Sequence, residues 1–328
     1  MFEDSPVSKK VLRYFSTRIG QYVSPIGLLK VLSIHSASSS YPRLSVLHEA
    51  RSREWKTQTL LIAKKMFAED FYIYIKGDKT IHSLVDDYGE NWDCKCLMLN
   101  DGNLLFKSMA TKSKERWLSA ISVLLTEGVY EYGSRIDKFK IRGKVSLIIN
   151  LTTPSYYRHK NEIFETTLGN RLFIAHAWLK EKYNLQCKKN FDNTKGLASG
   201  ILITEPYNRT IRNESEYEKE LLAYAKDYAI LSVRSVAETL DIVKAIAFEN
   251  ARINQRNYLT DDDMEIVRMF REYNIDPMVP DEPRVILGLK EGRTYMDICH
   301  LLQKPPSYKS TISYYHKKAL QRGVLDVR

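Results

Sequence analysis

Four cysteines in 328 residues, Cys94, Cys96, Cys187 and Cys299, are too few and too scattered for a disulfide frame. A zinc site would need a second Cys or His pair at ligand spacing, and the sequence has none. Cys94-Lys95-Cys96 falls in an expected strand, where alternate residues share a face, and structural thiols are the expectation. No apolar run approaches the roughly 18–20 residues of a membrane span, so no membrane partner is expected. The start, MFEDSPVSKK, is acidic and polar before any apolar stretch, which argues against a secretory signal. Internal repeats and low-complexity tracts are missing too. These absences together predict a soluble globular protein of a reducing compartment, cytoplasmic or associated with a nucleus or nucleoid.

What the sequence does have is positive charge. Lys and Arg number 50 against 40 Asp and Glu, for a formal net charge of +10. Such an excess favours a polyanion as partner, nucleic acid ahead of an anionic membrane surface.

Apolar runs at 44–48, 71–75, 94–99, 145–150 and 172–175 read as strands. They are apolar throughout rather than alternating, and helical patterns at 57–67 and 111–126 lie between them. That combination predicts an α/β fold with a buried parallel sheet. Residues 7–36 read as two helices broken near Ser24-Pro25. Val129–Ile141 reads as a hairpin with Gly133-Ser134 near its tip. Beyond about residue 215 the pattern turns helical, at 216–228, 235–253 and 261–273. Asp276–Pro280 reads as a linker.

The stretch EARSREWKTQT, residues 49–59, joins the first strand to the first of these helices. A strand, a tight loop carrying Lys-Thr and then a helix is the layout of a phosphate-binding loop, G-x-x-x-x-G-K-[ST]. Ala50 and Trp55 stand where the glycines belong, and Lys56-Thr57 remain. The other reading is an ordinary helix start. Further parts follow in order. Cys96–Asp101 is an apolar strand ending in Asn-Asp. Either Asn100 replaces a metal-binding Asp, or Asp101 is that Asp shifted by one. Val145–Asn150 is a strand whose terminal amide, Asn150, could orient an attacking water.

Six segments in this order resemble an AAA+ ATPase of the minichromosome maintenance helicase branch. YVSPIGLLKVLSIHSAS resembles the helix before the phosphate loop, and that family's own loop carries Ala before the Lys. SAISVLLTEGVYEYG resembles the helix and hairpin before sensor 1, and SLIINLT the sensor 1 strand. TTLGNRLFIAHAWL resembles the segment whose arginine reaches a neighbouring subunit's nucleotide. SVRSVAETLDIVKAIAFENARI with YLTDDDMEIV resembles the helical lid. The resemblance spans roughly residues 20–275. It implies an AAA+ α/β core at 1–210 and a helical lid at 211–275; the residues of 276–328 themselves read as a winged helix, a domain with which such helicases often end. The resemblance implies ATP and Mg²⁺ at Ala50, Trp55, Lys56 and Thr57, with Thr57 and Asp101 on the metal. Asp101, Asn150, the finger Arg171 and the sensor 2 Arg234 would carry hydrolysis. The working form would be a homo-oligomeric ring, or a hetero-oligomer with other AAA+ subunits, in a replication or remodelling factor of a plasmid, virus or mobile element.

The departures from the pattern are specific. Both loop glycines are missing, and no acid follows Asp101. They leave open a non-hydrolysing DNA-binding initiator or regulator on the same scaffold. DNA contact is expected at two places. The last fifty residues read as three helices, 282–289, 295–303 and one from the N-cap Ser307 to Arg322, followed by a strand from Val324. The third helix would present Tyr308, Lys309, Ser313, Tyr314, Lys317, Lys318 and Arg322, with Ile312, Tyr315 and Leu320 facing the core. The hairpin would present Arg135, Lys138 and Lys140. In the family such a hairpin grips the phosphate backbone.

Overall fold

The chain enters through two helices, α1 (Val7–Arg18) and α2 (Ser24–Ser36), and then alternates. Strand β1 (Ser45–Ala50) leads into α3 (Lys56–Lys64), and β2 (Tyr72–Ile75) into α4 (Ile81–Tyr88). Strand β3 (Cys96–Leu99) is followed by α5 (Gly102–Ser108) and α6 (Thr111–Thr126). A hairpin, β4 (Val129–Gly133) and β5 (Lys138–Arg142), precedes β6 (Ser146–Thr152), α7 (Thr153–Glu165), β7 (Leu172–His176) and α8 (Glu181–Asn193). Helices α9 (Glu214–Ser232), α10 (Val236–Ile253) and α11 (Asp261–Arg271) follow. Last come α12 (Glu282–Lys290), α13 (Tyr295–Leu302) and α14 (Lys309–Gln321). This computed structural model describes residues 5–39, 42–76, 79–133, 138–165, 168–204, 207–232, 234–274, 281–302, 304–321 and 325. The turn that Lys76-Gly77-Asp78 leads the sequence to expect after β2, the hairpin tip with Ser134 and Arg135, and the expected linker 276–280 lie at least partly outside them. So do Arg322, Gly323 and the terminal strand expected from Val324, Leu325 apart.

All five core strands pair in parallel, in the order β2-β3-β6-β1-β7. Side chains alternate between two cores, as period 2 requires. Val46, Met98, Ile148 and Phe173 pack on one face with α1, α2, α3 and α9–α11. Leu47, Leu97, Ile149 and Ile174 pack on the other with Trp117, Ile121 and Tyr156. Helix α2 is buried at every residue, because the sheet lies on one side of it and α10 on the other. A mostly apolar helix suits that position, with Lys30 and His35 met by buried partners. Residues 211–275 share this first core with α1 and α2 rather than having one of their own. Ser235 and Glu238 form a capping box that starts α10.

The buried expected strands all form. Cys94, however, is exposed at φ 59, so β3 begins only at Cys96. Left-handed backbone breaks the pleat, and the two cysteines do not share a face. All four thiols are free. Four helices, α4, α5, α7 and α8, go beyond the sequence expectations. In α7 and α8 charged and polar residues interrupt any apolar stripe. Among the described residues no helix is long and apolar enough to cross a membrane, and no group of three or more His, Cys, Asp or Glu could hold a metal ion.

The first two helices meet at Gly27. A Cβ there would lie 2.4 Å from the Phe15 ring, which is fully buried. Gly27→Ala gains up to about 1 kcal/mol of helix propensity. Forcing a methyl into that ring costs about 1–3 kcal/mol, and the ring has nowhere to go. The urea midpoint of Gly27→Ala should therefore fall with the m-value unchanged. An unchanged or higher midpoint would show that α1 can slide.

Candidate nucleotide site at the C-terminal edge of the sheet

Because the strands run parallel, their C-terminal ends share one edge, where α/β sheets bind ligands. The adjacency of β1, β6 and β3 brings the ends of three expected site segments together: Ala50 to Thr57, Asn150, and Asn100-Asp101. Without glycine the loop still turns sharply. Arg53 takes φ 65 and Trp55 takes φ 62, the left-handed region that costs a non-glycine residue about 1–2 kcal/mol. Trp55 is held there from outside the loop. Its indole N–H donates to Asn184 Oδ1 at 2.9 Å, and its ring lies 5.5 Å from Phe191, both on α8. The bulky residue points away from the loop's interior, onto a helix the sequence did not reveal.

Lys56 heads α3 and folds back over the loop. Its Nζ donates to the Ala50 carbonyl at 2.8 Å and to the Arg51 carbonyl. Burial lowers its pKa, against the opposing charges of Glu54, Glu49 and Asp101. Thr57 is exposed on the next position. Asp101 is exposed and caps α5, accepting from the Asn103 amide at 3.1 Å. One hydroxyl and one exposed carboxylate at a shared edge suit Mg²⁺, which takes one or two carboxylates and completes its shell with phosphate and water.

Asn150 does not face the open edge. It is 1 % exposed, on the β6 face that also carries Ile148. Its Oδ1 accepts from Lys30 Nζ at 2.9 Å, and its Nδ2 donates to the Lys56 carbonyl at 3.2 Å. In this arrangement it holds α3 rather than a water. Lys30, on α2, is the residue the sequence reasoning missed. It is fully buried and also donates to Lys56 O and Thr59 Oγ1, each at 2.8 Å. Burial, and then the charge of Lys56, pushes its pKa well below the ordinary lysine value. A lone lysine in the apolar helix SPIGLLKVLSIHS was the available signal. His48 lies on the same face of β1, in register with Asn150. Both its ring nitrogens are buried without a partner among the described residues, and burial keeps it neutral by lowering its pKa well below the usual value.

Glu49 and Asp93 flank the site in sequence only. Glu49 points to the opposite face, fully buried, and accepts from His176 Nδ1 at 2.9 Å, from Trp178 Nε1 at 2.8 Å and from Thr153. Asp93 accepts from the Lys144 amide near the other edge of the sheet. Neither carboxylate supplies the acid missing after Asp101.

The two arginines lie at that other edge as well. Arg171 is exposed immediately before β7, and Arg234 Nη1 donates to the Leu172 carbonyl at 2.6 Å. Burial pushes the Arg234 pKa down to about 10, and its Nε and Nη2 have no partner among the described residues. A strand's length, roughly 15–20 Å, separates both from the loop of the same chain.

Of the expected DNA contacts, Lys138 is exposed on the hairpin, and Lys140 pairs with Glu131. In the C-terminal unit α12–α14 surround Val285, Ile298, Cys299, Leu302 and Ile312. Helix α14 begins at Lys309 after a 3₁₀ turn at Pro306–Tyr308, so Ser307 is not its N-cap. Lys309, Tyr314 and Lys317 are exposed, Tyr314 at 61 %. Tyr308 instead donates to Asp281 at 2.7 Å, and Lys318 pairs with Glu282 at 2.8 Å. Ala319 is buried, while Tyr315 and Leu320 are only half-buried.

Compared with models of known protein families and with curated proteins, the chain matches none.

Lys30 makes a pH prediction. Its folded pKa is lowered, so between that value and the unfolded one, about 10.4, the unfolded chain binds the extra proton. Stability from this group is then greatest above the unfolded pKa and falls as pH drops toward the folded one. The unfolding free energy of the wild type should rise as pH climbs toward the unfolded lysine value of about 10.4, and Lys30→Met should flatten that rise. Equal slopes in urea titrations of the two proteins would show that the amine is not desolvated.

Proposed function

We propose that the chain is a DNA-binding protein on an AAA+ ATPase scaffold of the minichromosome maintenance kind, acting in replication or DNA remodelling. Its loop at 51–57 binds ATP weakly, and the isolated chain turns ATP over slowly. The observation that carries the reading is the strand order, which gathers Lys56, Thr57 and Asp101 at one edge of a parallel sheet. Lys56 would meet the phosphates, with Thr57 and Asp101 on Mg²⁺, whose chemistry there is to offset charge developing on the phosphoryl group. Slow turnover follows from Asn150 and Glu49, both buried and committed elsewhere.

A second reading, an active ATPase assembled from several copies, is favoured by one observation. Arg171 is exposed a strand's length from its own loop, where it could serve only a neighbour's site. Arg171→Ala and Lys56→Ala proteins should then each be inactive, and mixing them should partly restore ATP turnover. No rescue at any ratio, with DNA present, would remove the shared site.

DNA contact rests on the net charge of +10 and the exposed cations of α14. Lys309→Glu with Lys317→Glu should weaken duplex binding more than about tenfold. The salt slope should fall by about one for each lysine that no longer neutralises a phosphate. Lys318→Ala should do less to binding and more to stability, since Lys318 is tied to Glu282. Unchanged affinity of the double variant at two salt concentrations would refute α14 as the DNA-binding element.

A further inference from the structure

A loop that receives phosphate directs backbone N–H groups at the anion. In this loop a carboxylate of the chain itself has taken one of them. Glu54 is 6 % exposed, and its Oε2 accepts from the Arg51 N–H at 2.7 Å. The Leu179 backbone and the charges of Arg51 and Lys56 lie close by and act to lower its pKa. A carboxylate offers two acceptor oxygens and a negative charge, the same features that a terminal phosphate presents. Burial raises the Glu54 pKa, while the amide bonds and the two cations oppose that rise.

The segment after β7 closes over the same loop. Leu179 meets Glu54, the Arg51 guanidinium stands 4.9 Å from the Trp178 ring, and Asn184 and Phe191 hold Trp55. The residues on either side of Glu54, Arg53 and Trp55, are the two left-handed ones. Such conformations persist where surrounding contacts over-determine them, and for Trp55 those contacts come from Asn184 and Phe191.

We infer that the loop is self-occupied: the Glu54 carboxylate holds the place of an incoming nucleotide phosphate, and residues 178–191 latch it there. The inference rests on the nucleotide reading above and adds its regulation. A nucleoside triphosphate must displace Glu54 from the Arg51 amide, beneath the segment that carries Leu179. Displacement frees the strap from Trp178 to Phe191, so phosphate binding and the position of α8 are linked.

The test is calorimetric titration of a slowly hydrolysed ATP analogue with Mg²⁺ into the full chain. Wild type, Glu54→Gln, Glu54→Ala and Glu54→Ala with Lys56→Ala are compared. Glu54→Ala should bind roughly ten- to a hundred-fold tighter than wild type, because one charge-assisted competitor is removed. Glu54→Gln keeps the volume and one acceptor oxygen, so it folds even where alanine does not, and its affinity should be intermediate. The double variant should lose the gain. Hydrogen exchange supplies a reading independent of turnover: the Arg51 amide should exchange faster in Glu54→Ala than in wild type. Wild-type binding that needs Lys56 but is not tightened by either Glu54 change would overturn self-occupation and leave the nucleotide reading standing. Tight binding that survives Lys56→Ala would overturn it by placing the nucleotide elsewhere. No binding in any of the four proteins would overturn both.

Discussion

A single buried amine organises the region around the loop. Lys30 has no carboxylate partner among the described residues; it is received by a carbonyl, a hydroxyl and a side-chain amide. Burying a charge-capable group is tolerated only when its hydrogen bonds are satisfied. Here the three acceptors come from the first turn of α3 and from the end of β6. That turn is thereby fixed against the sheet, and Asn150 with it. The loop from Arg51 to Trp55 must close between two fixed ends, β1 and α3, without a glycine. Two left-handed residues, and a tryptophan anchored on α8, are the consequence.

The strands were legible because a parallel sheet covered on both faces selects largely apolar runs, and β1, β3 and β7 are buried throughout even where they carry His48, Glu49 and His176. Helix α8 was not legible. EKYNLQCKKNFDN buries only Cys187, and its role lies in two side chains, Asn184 and Phe191, that answer Trp55. The sequence pattern ended β6 at Asn150, whereas the strand runs on to Thr152. The pattern could not show which neighbour the Asn150 amide would meet, because that depends on Lys30, 120 residues earlier in the chain. Alternation does account for Glu49: adjacent residues on a strand face opposite ways, so Glu49 leaves the face that His48 and Ala50 share.

The placement of Arg171 bears on symmetry. A residue at one edge of the sheet that acts on a site at the other edge calls for a head-to-tail contact between copies. Such contacts are heterologous, and they close into a ring or continue as a filament according to the rotation between neighbours. The proposed assembly is thus a matter of angle as well as affinity. The exposed edge also carries charge of both signs, with Arg43, Glu238 and Asp241 around the Arg171 crevice.

Helix α2 also constrains how the protein is made. The N-terminal helices are completed by residues encoded far later: His35 by Glu249, Ser8 by Asn254, Lys9 by Asp262. Synthesis proceeds at about 5–20 residues per second. For some tens of seconds, then, the nascent chain carries a helix that is finally buried on every side with its α10 cover not yet made. Contacts of such sequence separation also slow folding. A protein built this way depends during synthesis on whatever shields that helix, and the earliest part of the chain is among the last to reach its final packing.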